Sequence, residues 1–305
     1  MSALSVGPDL AIIIVTWNVR HHLARCLDSL RHACLQDGVE AAVWVVDNAS
    51  TDDTLQLVRD AYPWVHLITN DDNLGYVAAN NLAIDLVLAR APWLWLLNPD
   101  TVVPPGAIRK LLDFTADHPR AGLVGPKLLN PDGTLQECAF RFPGLSQAFF
   151  SLGLMPPRLY YTALNGRYPR EAFSQTTPFR IDHPLGAAML VRSTAVREVG
   201  ALDPGFFMYC EEIDWAWRLN DAGWECWLVP DAEVLHVGGA SSQQAKPETT
   251  RYLWESRAHL YRKHRSRATR SIVGLAVRTV FARRRHQTEN PAWIAAYDAI
   301  LRAWT

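Results

Sequence analysis

Five short polar clusters hold the side chains of this sequence that could do chemistry. The first is Asp47-Asn48-Ala49-Ser50-Thr51-Asp52. A carboxylate here could accept from the ring N–H of a pyrimidine base, while Ser50 or Thr51 could simply cap a following helix. The second is Asn73-Leu74-Gly75-Tyr76, with Asn80 behind it. Gly75 would let the backbone approach a ligand closely. A helix beginning near Val77 would offer free N–H groups and a positive dipole end to a diphosphate; a tight turn is the plainer reading. The third is Asn98-Pro99-Asp100. A carboxylate at the mouth of a strand could hold Mg²⁺ or Mn²⁺, which prefer oxygen ligands, or could close a turn. The fourth is Glu211-Glu212-Ile213-Asp214 with Arg218. Three acids in one helical turn could serve only the dipole, and Asp214 and Arg218 have the spacing of an i,i+4 pair. Crowded carboxylates nonetheless raise at least one pKa, which suits a general base. Flanking Phe206, Phe207, Tyr209, Trp215 and Trp217 could exclude water, stack on sugar rings or belong to the core. The fifth is His236, which beside Asp100 would make a mixed nitrogen and oxygen metal site.

The elements that must position these clusters follow from periodicity. Residues 10–16 are a continuous apolar, β-branched run, expected of a strand buried on both faces. Residues 42–46, 65–69 and 93–97 read as further strands and 122–125 as a short one. Residues 21–32, 54–60, 77–90 and 108–116 read as helices. Such alternation implies a parallel sheet with helices on both faces, in which ligands bind outside the carboxyl ends of the strands. Residues 16–18, 47–53, 70–73 and 98–100 each follow a strand directly, so the four clusters should converge on one crevice. Residues 140–179, rich in Pro, Tyr and Phe, read as an irregular insert or mobile loop. Strand character returns at 186–191, a helix at 211–222, and short strands at 226–229 and 232–236. Residues 241–247 read as a linker, and the remainder of the chain reads as helical and Arg-rich.

The bulk numbers set wide bounds. The 305 residues allow one large α/β domain with an appendage, or two small domains. Ordinary hydrophobic and charged fractions argue against global disorder. Net charge is −1, unevenly spread: residues 246–305 carry thirteen Lys and Arg against four Asp and Glu, a net +9, leaving −10 elsewhere. A basic tail suits an anionic surface or an intramolecular contact. The five cysteines show no CxxC pair and read as reduced thiols. No secretory leader or spanning segment is legible.

The clusters gain meaning in their order: Ile14-Val15-Thr16-Trp17-Asn18, then Val46-Asp47-Asn48-Ala49-Ser50-Thr51-Asp52, then Asn73-Leu74-Gly75-Tyr76 with Ala79-Asn80, then Leu97-Asn98-Pro99-Asp100. Phe206-Phe207-Met208-Tyr209, Glu211-Glu212-Ile213-Asp214, Arg218 and His236 with Gly238-Gly239-Ala240-Ser241 continue it. Over roughly residues 10 to 242 this set resembles glycosyltransferase family 2, and within it the rhamnosyltransferases of cell-wall and polysaccharide assembly.

The resemblance implies an α/β fold of the GT-A type, with a Rossmann-like, mostly parallel central sheet flanked by helices over residues 1–245. A basic helical C-terminal extension would occupy 246–305. It implies a cytoplasmic, inverting, metal-dependent hexosyltransferase. The sugar, with L-rhamnose favoured, would pass from a dTDP or UDP donor to a hydroxyl of a glycan or polyprenyl-linked acceptor. Thr16 and Asn18 would line the nucleotide pocket, Asp47 would read the base, and Asn48 and Ser50 would support that loop. Asn73, Gly75 and Asn80 would contact ribose or diphosphate, with Asn98 beside them. Asp100 and His236 would bind Mg²⁺ or Mn²⁺. Glu212 would be the catalytic base, with Glu211 and Asp214 as partners.

Two departures matter. Asn98 stands where the family often has the first Asp of an Asp-x-Asp metal motif, which removes a charge. Glu212 stands where Asp is commoner, which leaves Glu212 and Asp214 both open as the base. A non-catalytic glycan- or nucleotide-sugar-binding protein on the same fold is the alternative, though it would have no reason to keep Asp100, the acidic cluster and His236 together. A nucleotidyltransferase would show an early Gly-rich basic loop, and no nucleic-acid motif accompanies the tail. Arg257, Arg262, Lys263, Arg265, Arg267 and Arg270 before the apolar 272–277 run, and Arg283, Arg284 and Arg285 after it, suit an interfacial helix at the inner face of an anionic membrane.

Overall fold

The computed structural model describes residues 8–238 and 246–305. Its first half alternates as the periodicity requires. β1 (Leu10–Thr16), α1 (Arg20–Asp37), β2 (Ala41–Asp47), α2 (Thr54–Ala61), β3 (His66–Thr69), α3 (Gly75–Val87) and β4 (Trp93–Leu97) follow in turn. Every residue of β1 and β4 is buried, which is why neither shows polar alternation. β5 (Thr101–Val102), α4 (Ala107–Asp117), β6 (Ala121–Leu129), β7 (Leu135–Gln136) and β8 (Ala139–Phe140) come next. Then come α5 (Leu145–Leu152), α6 (Arg170–Ser174), β9 (Phe179–Arg180), β10 (His183–Pro184), β11 (Ala188–Arg192) and α7 (Ser193–Val199). The chain closes with α8 (Glu211–Asp221), β12 (Glu225–His236), α9 (Lys246–His264), α10 (Arg267–His286) and α11 (Pro291–Ala303).

The sheet order is β3-β2-β1-β4-β11-β6-β12-β5. β3, β2, β1 and β4 run parallel, β11 runs antiparallel between β4 and β6, and β12 is parallel to β6. One reversed strand thus joins two parallel halves. β5 pairs antiparallel with the last residues of β12, Thr101 opposite His236, and this pairing brings Asp100 next to His236.

Several expected boundaries move. Strand 122–125 is the nine-residue β6; Gly122, Gly125 and Pro126 hide it by their low strand propensity. The expected pair of strands at 226–229 and 232–236 is the single β12, whose register shifts between Val229 and Glu233, so the ladder resumes past Pro230 and Asp231. α7 lacks a long apolar repeat and goes unread in the sequence. Residues 241–245 of the expected linker lie outside the described residues, whereas Lys246 and Pro247 already belong to α9.

The 140–179 segment is not simply an irregular loop. It contains α5, α6 and two short 3₁₀ turns. Ala148 and Leu152 of α5 join Trp254, Tyr261, Val273, Phe281, Ile300 and Trp304 of α9, α10 and α11 in a second apolar core, apart from the one around the sheet. Tyr261 Oη donates to the Gly144 carbonyl at 2.7 Å, and Trp304 Nε1 to the Trp254 carbonyl at 3.0 Å.

α9 is fastened to α8 through one fully buried carboxylate. Asp214 accepts from Arg218 Nε at 2.8 Å, and from Lys263 Nζ and His264 Nε2 at 2.7 Å each. The His264 ring also stacks on Trp217, 4.5 Å between centroids. Burial would raise the Asp214 pKa, but the hydrogen bonds from His264, Lys263 and Arg218 outweigh it and hold the carboxyl well below its usual range. A depressed folded-state pKa contributes stability above the unfolded pKa near 4, lost as pH falls toward the folded value. Replacing Asp214 with Asn should therefore cost about 3 kcal/mol at neutral pH, and the deficit should shrink below pH 4. Chemical unfolding of both proteins across pH checks this; a neutral-pH cost under about 0.5 kcal/mol would dismiss the fastening role.

Candidate active site

The strand ends are laced together before any ligand is considered. The Thr16 carbonyl accepts from Asn48 N at 2.9 Å, and the Asp47 carbonyl from Asn70 N at 3.0 Å. Asn18, in a left-handed conformation at φ 52°, donates its N–H to Ser50 Oγ, and its Oδ1 accepts from Thr51 N at 2.7 Å. Asn48 donates to the Gly75 carbonyl at 3.0 Å and accepts from Asn70 Nδ2 at 2.9 Å. Asn18 and Ser50 thus brace the loop, and Asn48 ties it to the start of α3. Asp47 is fully buried; its Oδ2 accepts from Ser50 N at 2.9 Å, while Oδ1 and the neighbouring Thr16 Oγ1 have no partner.

The start of α3 corrects an expectation. Its first N–H groups are not free for a diphosphate: Gly75 N donates to Asn73 Oδ1 at 3.0 Å, and Tyr76 N to the Phe207 carbonyl at 2.9 Å. Gly75 sits at φ +81°, and a Cβ there would stand 2.6 Å from the Phe207 ring and carbonyl. The close approach that requires glycine is therefore to Phe207 rather than to a ligand. Asn80 is also displaced from the expected role. It is 1% exposed and donates to the Tyr76 carbonyl at 2.8 Å inside the helix.

Asp100 and His236 form a corner where β5 meets β12. His236 Nε2 lies 3.3 Å from Asp100 Oδ1, and Asp100 Oδ2 accepts from Gly238 N at 3.1 Å. His236 Nδ1 lies 2.7 Å from Gln136 Oε1, while Gln136 Nε2 donates to Asn130 Oδ1 and to the His236 carbonyl. That orientation of the amide makes Nδ1 the donor and turns Nε2 toward Asp100. Asn98 Nδ2 is 3.5 Å from the same Nε2. This donor set fits a divalent ion that takes one oxygen and one nitrogen from the protein and its other ligands from phosphate oxygens and water. No cluster of three His, Cys, Asp or Glu side chains suited to a metal occurs among the described residues. Gln136 carried no sequence signal, because it lies 100 residues from His236 on a two-residue strand.

α8 supplies the acidic pair. Tyr209 and Cys210, just before it, both adopt left-handed φ, 72° and 67°, unusual for two consecutive non-glycine residues. That kink starts the helix with Glu211 and Glu212 turned into the cleft. Glu211 is 5% exposed and Glu212 half-buried, and Oε2 of each has no partner. Burial pushes both carboxyls up, Glu212 to about 7 and Glu211 well above its usual range; repulsion from Glu212 adds to the latter. Tyr76 donates its hydroxyl to the Gly186 carbonyl at 3.3 Å across the same wall.

These pieces line one cleft of about 500 Å³. Thr16, Asn48, Asn73, Gly75, Asn98, Asp100, Glu211, Glu212 and His236 face it, with Trp17, Met208 and Tyr252 as further wall. Asn18, Ser50 and Asn80 are not part of this lining; nor is Asp47, which pairs with the cleft residue Thr16 across β1 and β2 and keeps Oδ1 unpartnered. Asp214 points the other way, toward Arg218, Lys263 and His264, while Glu211 and Glu212 face the cleft.

The sequence model of Glycosyl transferase family 2 matches residues 11–193. An N-acetylglucosaminyl-diphospho-decaprenol L-rhamnosyltransferase of Mycobacterium tuberculosis is 36% identical over 242 residues, 74% of this chain and 75% of the relative. Rhamnosyltransferase WbbL of Escherichia coli K12 is 27% identical over 170 residues, 53% of this chain and 60% of the relative. Among solved structures, a mannosyltransferase from Pyrobaculum calidifontis in complex with GDP-Man and Mn²⁺ superposes with a TM-score of 0.59 at 17% identity, over 98% of this chain and 86% of that one. GalNAc-T7 with UDP, GalNAc and Mn²⁺ does so at 0.55 and 16% identity, over 76% of this chain and 44% of that one. At these identities the superpositions speak for the fold, which is GT-A. With more than half its length matched by the family model, and with a relative of 36% identity spanning most of it, the chain belongs to glycosyltransferase family 2.

Proposed function

We propose that the chain moves a sugar, L-rhamnose, from a dTDP or UDP donor to a hydroxyl of a polyprenyl-linked glycan acceptor, with inversion at the anomeric carbon. The observation that carries the reading is a single cleft in which Glu212, with an unpartnered oxygen, shares the walls with the Asp100–His236 pair. The sugar and the acceptor class rest on the rhamnosyltransferase relatives.

In this reading Asp47 Oδ1 accepts from a base N–H, with Thr16 and Asn48 beside it and Asn18 and Ser50 holding the loop. Asn73 and Asn98 face the ribose and diphosphate, while Asn80 and Asp214 have no part in binding. Asp100 and His236 hold Mg²⁺ or Mn²⁺, which when bound supplies Lewis-acid stabilisation of charge on a diphosphate leaving group. Glu212 takes the proton from the acceptor hydroxyl. That oxygen bonds to the anomeric carbon from the face opposite the diphosphate, and the sugar–phosphate C–O bond breaks with its electron pair leaving on the nucleoside diphosphate. A single displacement inverts the centre.

A water-soluble donor and a lipid-linked acceptor meet at a membrane surface, so the reading includes a cytoplasmic enzyme at the inner face, with residues 246–305 as the extension that reaches it. No helix of the described residues is long and apolar enough to cross a membrane. In this reading the interfacial surface is a narrow one. Arg262, Lys263, Arg265 and Arg285 bond within the molecule, and Val273 and Val277 are buried. Ile272 and Leu275 remain exposed on one face of α10, with Arg267 and Arg283 toward its ends. The intact protein should float with anionic vesicles at low salt, and Ile272→Asp with Leu275→Asp should prevent it. Sedimentation of the wild type away from the vesicles would remove the membrane from this reading.

Release of nucleoside diphosphate across a panel of nucleotide sugars, with lipid-linked acceptor and with or without Mn²⁺ or Mg²⁺, tests the core of the proposal. One donor should turn over in a metal-dependent way. Asp100→Ala and Glu212→Gln should each lower kcat by roughly 10² or more. Silence across the whole panel, with no nucleotide binding, would replace catalysis with a binding role. The pH profile gives a second check. A base must be ionised, so a carboxyl raised to about 7 places the acid limb of kcat near neutrality. The rate should fall roughly tenfold per pH unit below that limb. A limb near pH 4 would mean that the base titrates as an ordinary carboxyl and not as one raised by burial.

A further inference from the structure

A second cavity, of about 300 Å³, adjoins the cleft at Glu212: Leu185, Tyr209 and Glu212 line both. Apart from Glu212 its charged lining is all cationic, namely Arg141, Arg167 and Arg257. His183, also in the wall, is held neutral by burial, its pKa pushed down to about 4. Arg257 lies over the Trp254 ring, 4.6 Å to the centroid, and its charge and that of Glu212 act on each other without a direct ion pair. Arg167 lies over Phe140 at 4.6 Å and donates Nη2 to Tyr160 Oη at 3.2 Å. Its Nη1 approaches Glu137 only to 3.8 Å, and its Nε is buried with no partner. Arg141 covers the Tyr168 ring.

Half-buried guanidinium groups stacked on aromatic rings, as at Arg257 and Arg167, are weakly hydrated, and where no carboxylate takes up their fork they are placed to form forked hydrogen bonds to an anion. A cavity of one charge sign also focuses its field on an incoming counter-ion. Trp254, Trp304 and Val273 supply an apolar side to the same space. The geometry therefore points to a ligand with an anionic head, an apolar part, and a hydroxyl that reaches Glu212.

We propose that this second cavity is the acceptor subsite, and that Arg257 and Arg167 recognise the acceptor by a phosphate or diphosphate group. The proposal rests on the transferase reading and adds to it the residues and the charge that select the acceptor. No bond changes at the phosphate; it orients the acceptor so that its hydroxyl meets Glu212.

Calorimetric titration of the full chain, with the first cleft saturated by UDP or dTDP, tests this with geranyl diphosphate, geraniol and inorganic pyrophosphate as probes. Geranyl diphosphate should bind at least roughly tenfold more tightly than geraniol. Arg257→Gln combined with Arg167→Gln should abolish most of that preference. Arg257→Lys, which keeps the charge and loses the fork, should lower it by a few fold and serves if the double variant fails to fold. Pyrophosphate weaker than geranyl diphosphate identifies a lipid-borne phosphate; equal affinity identifies the phosphate alone as the recognised group. Equal binding of geranyl diphosphate and geraniol by the wild type, or an undiminished preference in the folded variants, overturns the proposal. Nucleotide binding reports separately: a wild type that binds neither UDP nor dTDP sinks the transferase reading, while the phosphate preference of the second cavity is still read without them.

Discussion

Two adjacent carboxylates held where burial penalises charge are the constraint around which this molecule is arranged. Glu211 and Glu212 repel each other, and each has an oxygen with no partner. Left to themselves they would turn out to water. Three features prevent it. The amide groups at the start of α8 partly offset the negative charge. The left-handed pair Tyr209–Cys210 fixes the direction in which the helix leaves the preceding loop. Farther along, Trp215 is fully buried with its Nε1 donating to the Gly200 carbonyl at 2.9 Å, and Asp214 is clamped by Arg218, Lys263 and His264. The helix cannot rotate to relieve its own N-terminus. The result is a pair of carboxyl groups held at the cleft with one oxygen of each unpartnered.

How much of this was legible in the sequence depended on range. The buried strands β1 and β4 were plain, since a run such as Leu10–Thr16 is apolar throughout only when both faces are covered. Strand-end polar residues converged as the parallel topology requires, and Thr16, Asn73, Asp100 and His236 do face one cleft. What the sequence could not disclose was the direction of each side chain. Asn80 and Asp214 have the residue types of ligands and bases, yet hydrogen-bond the Tyr76 carbonyl and Lys263 and His264 of α9 respectively. Gly75 looked like room for a ligand and is room for Phe207, 132 positions away. Gln136 and Arg257 were invisible as site residues because nothing local distinguishes them. Their roles arise from pairings across 100 residues or from burial beside a helix of another segment.

The antiparallel strand β11 has a quiet part in this geometry. It lies between β4 and β6, so the two parallel halves of the sheet present their carboxyl ends on the same edge although no parallel crossover connects them there. Asn98 N donates to the Ala187 carbonyl at 2.8 Å, just before β11, which pins the β4 loop to the strand that also brings Gly186 past Glu212. The Asp100–His236 corner and the acidic pair, contributed by distant segments, are thereby referred to one rigid strand.

The second apolar core has a consequence for how such chains can be recombined. α5 belongs to the segment between β6 and β11, but its buried face is shared with α9, α10 and α11. Neither part has a complete interior without the other. Exchange of the last sixty residues between relatives would therefore leave Ala148 and Leu152 facing side chains they were never shaped to meet, unless α5 travels with them. Heredity and protein engineering alike face a discontinuous module, whose two pieces must change hands together although more than ninety residues of sheet and helix separate them.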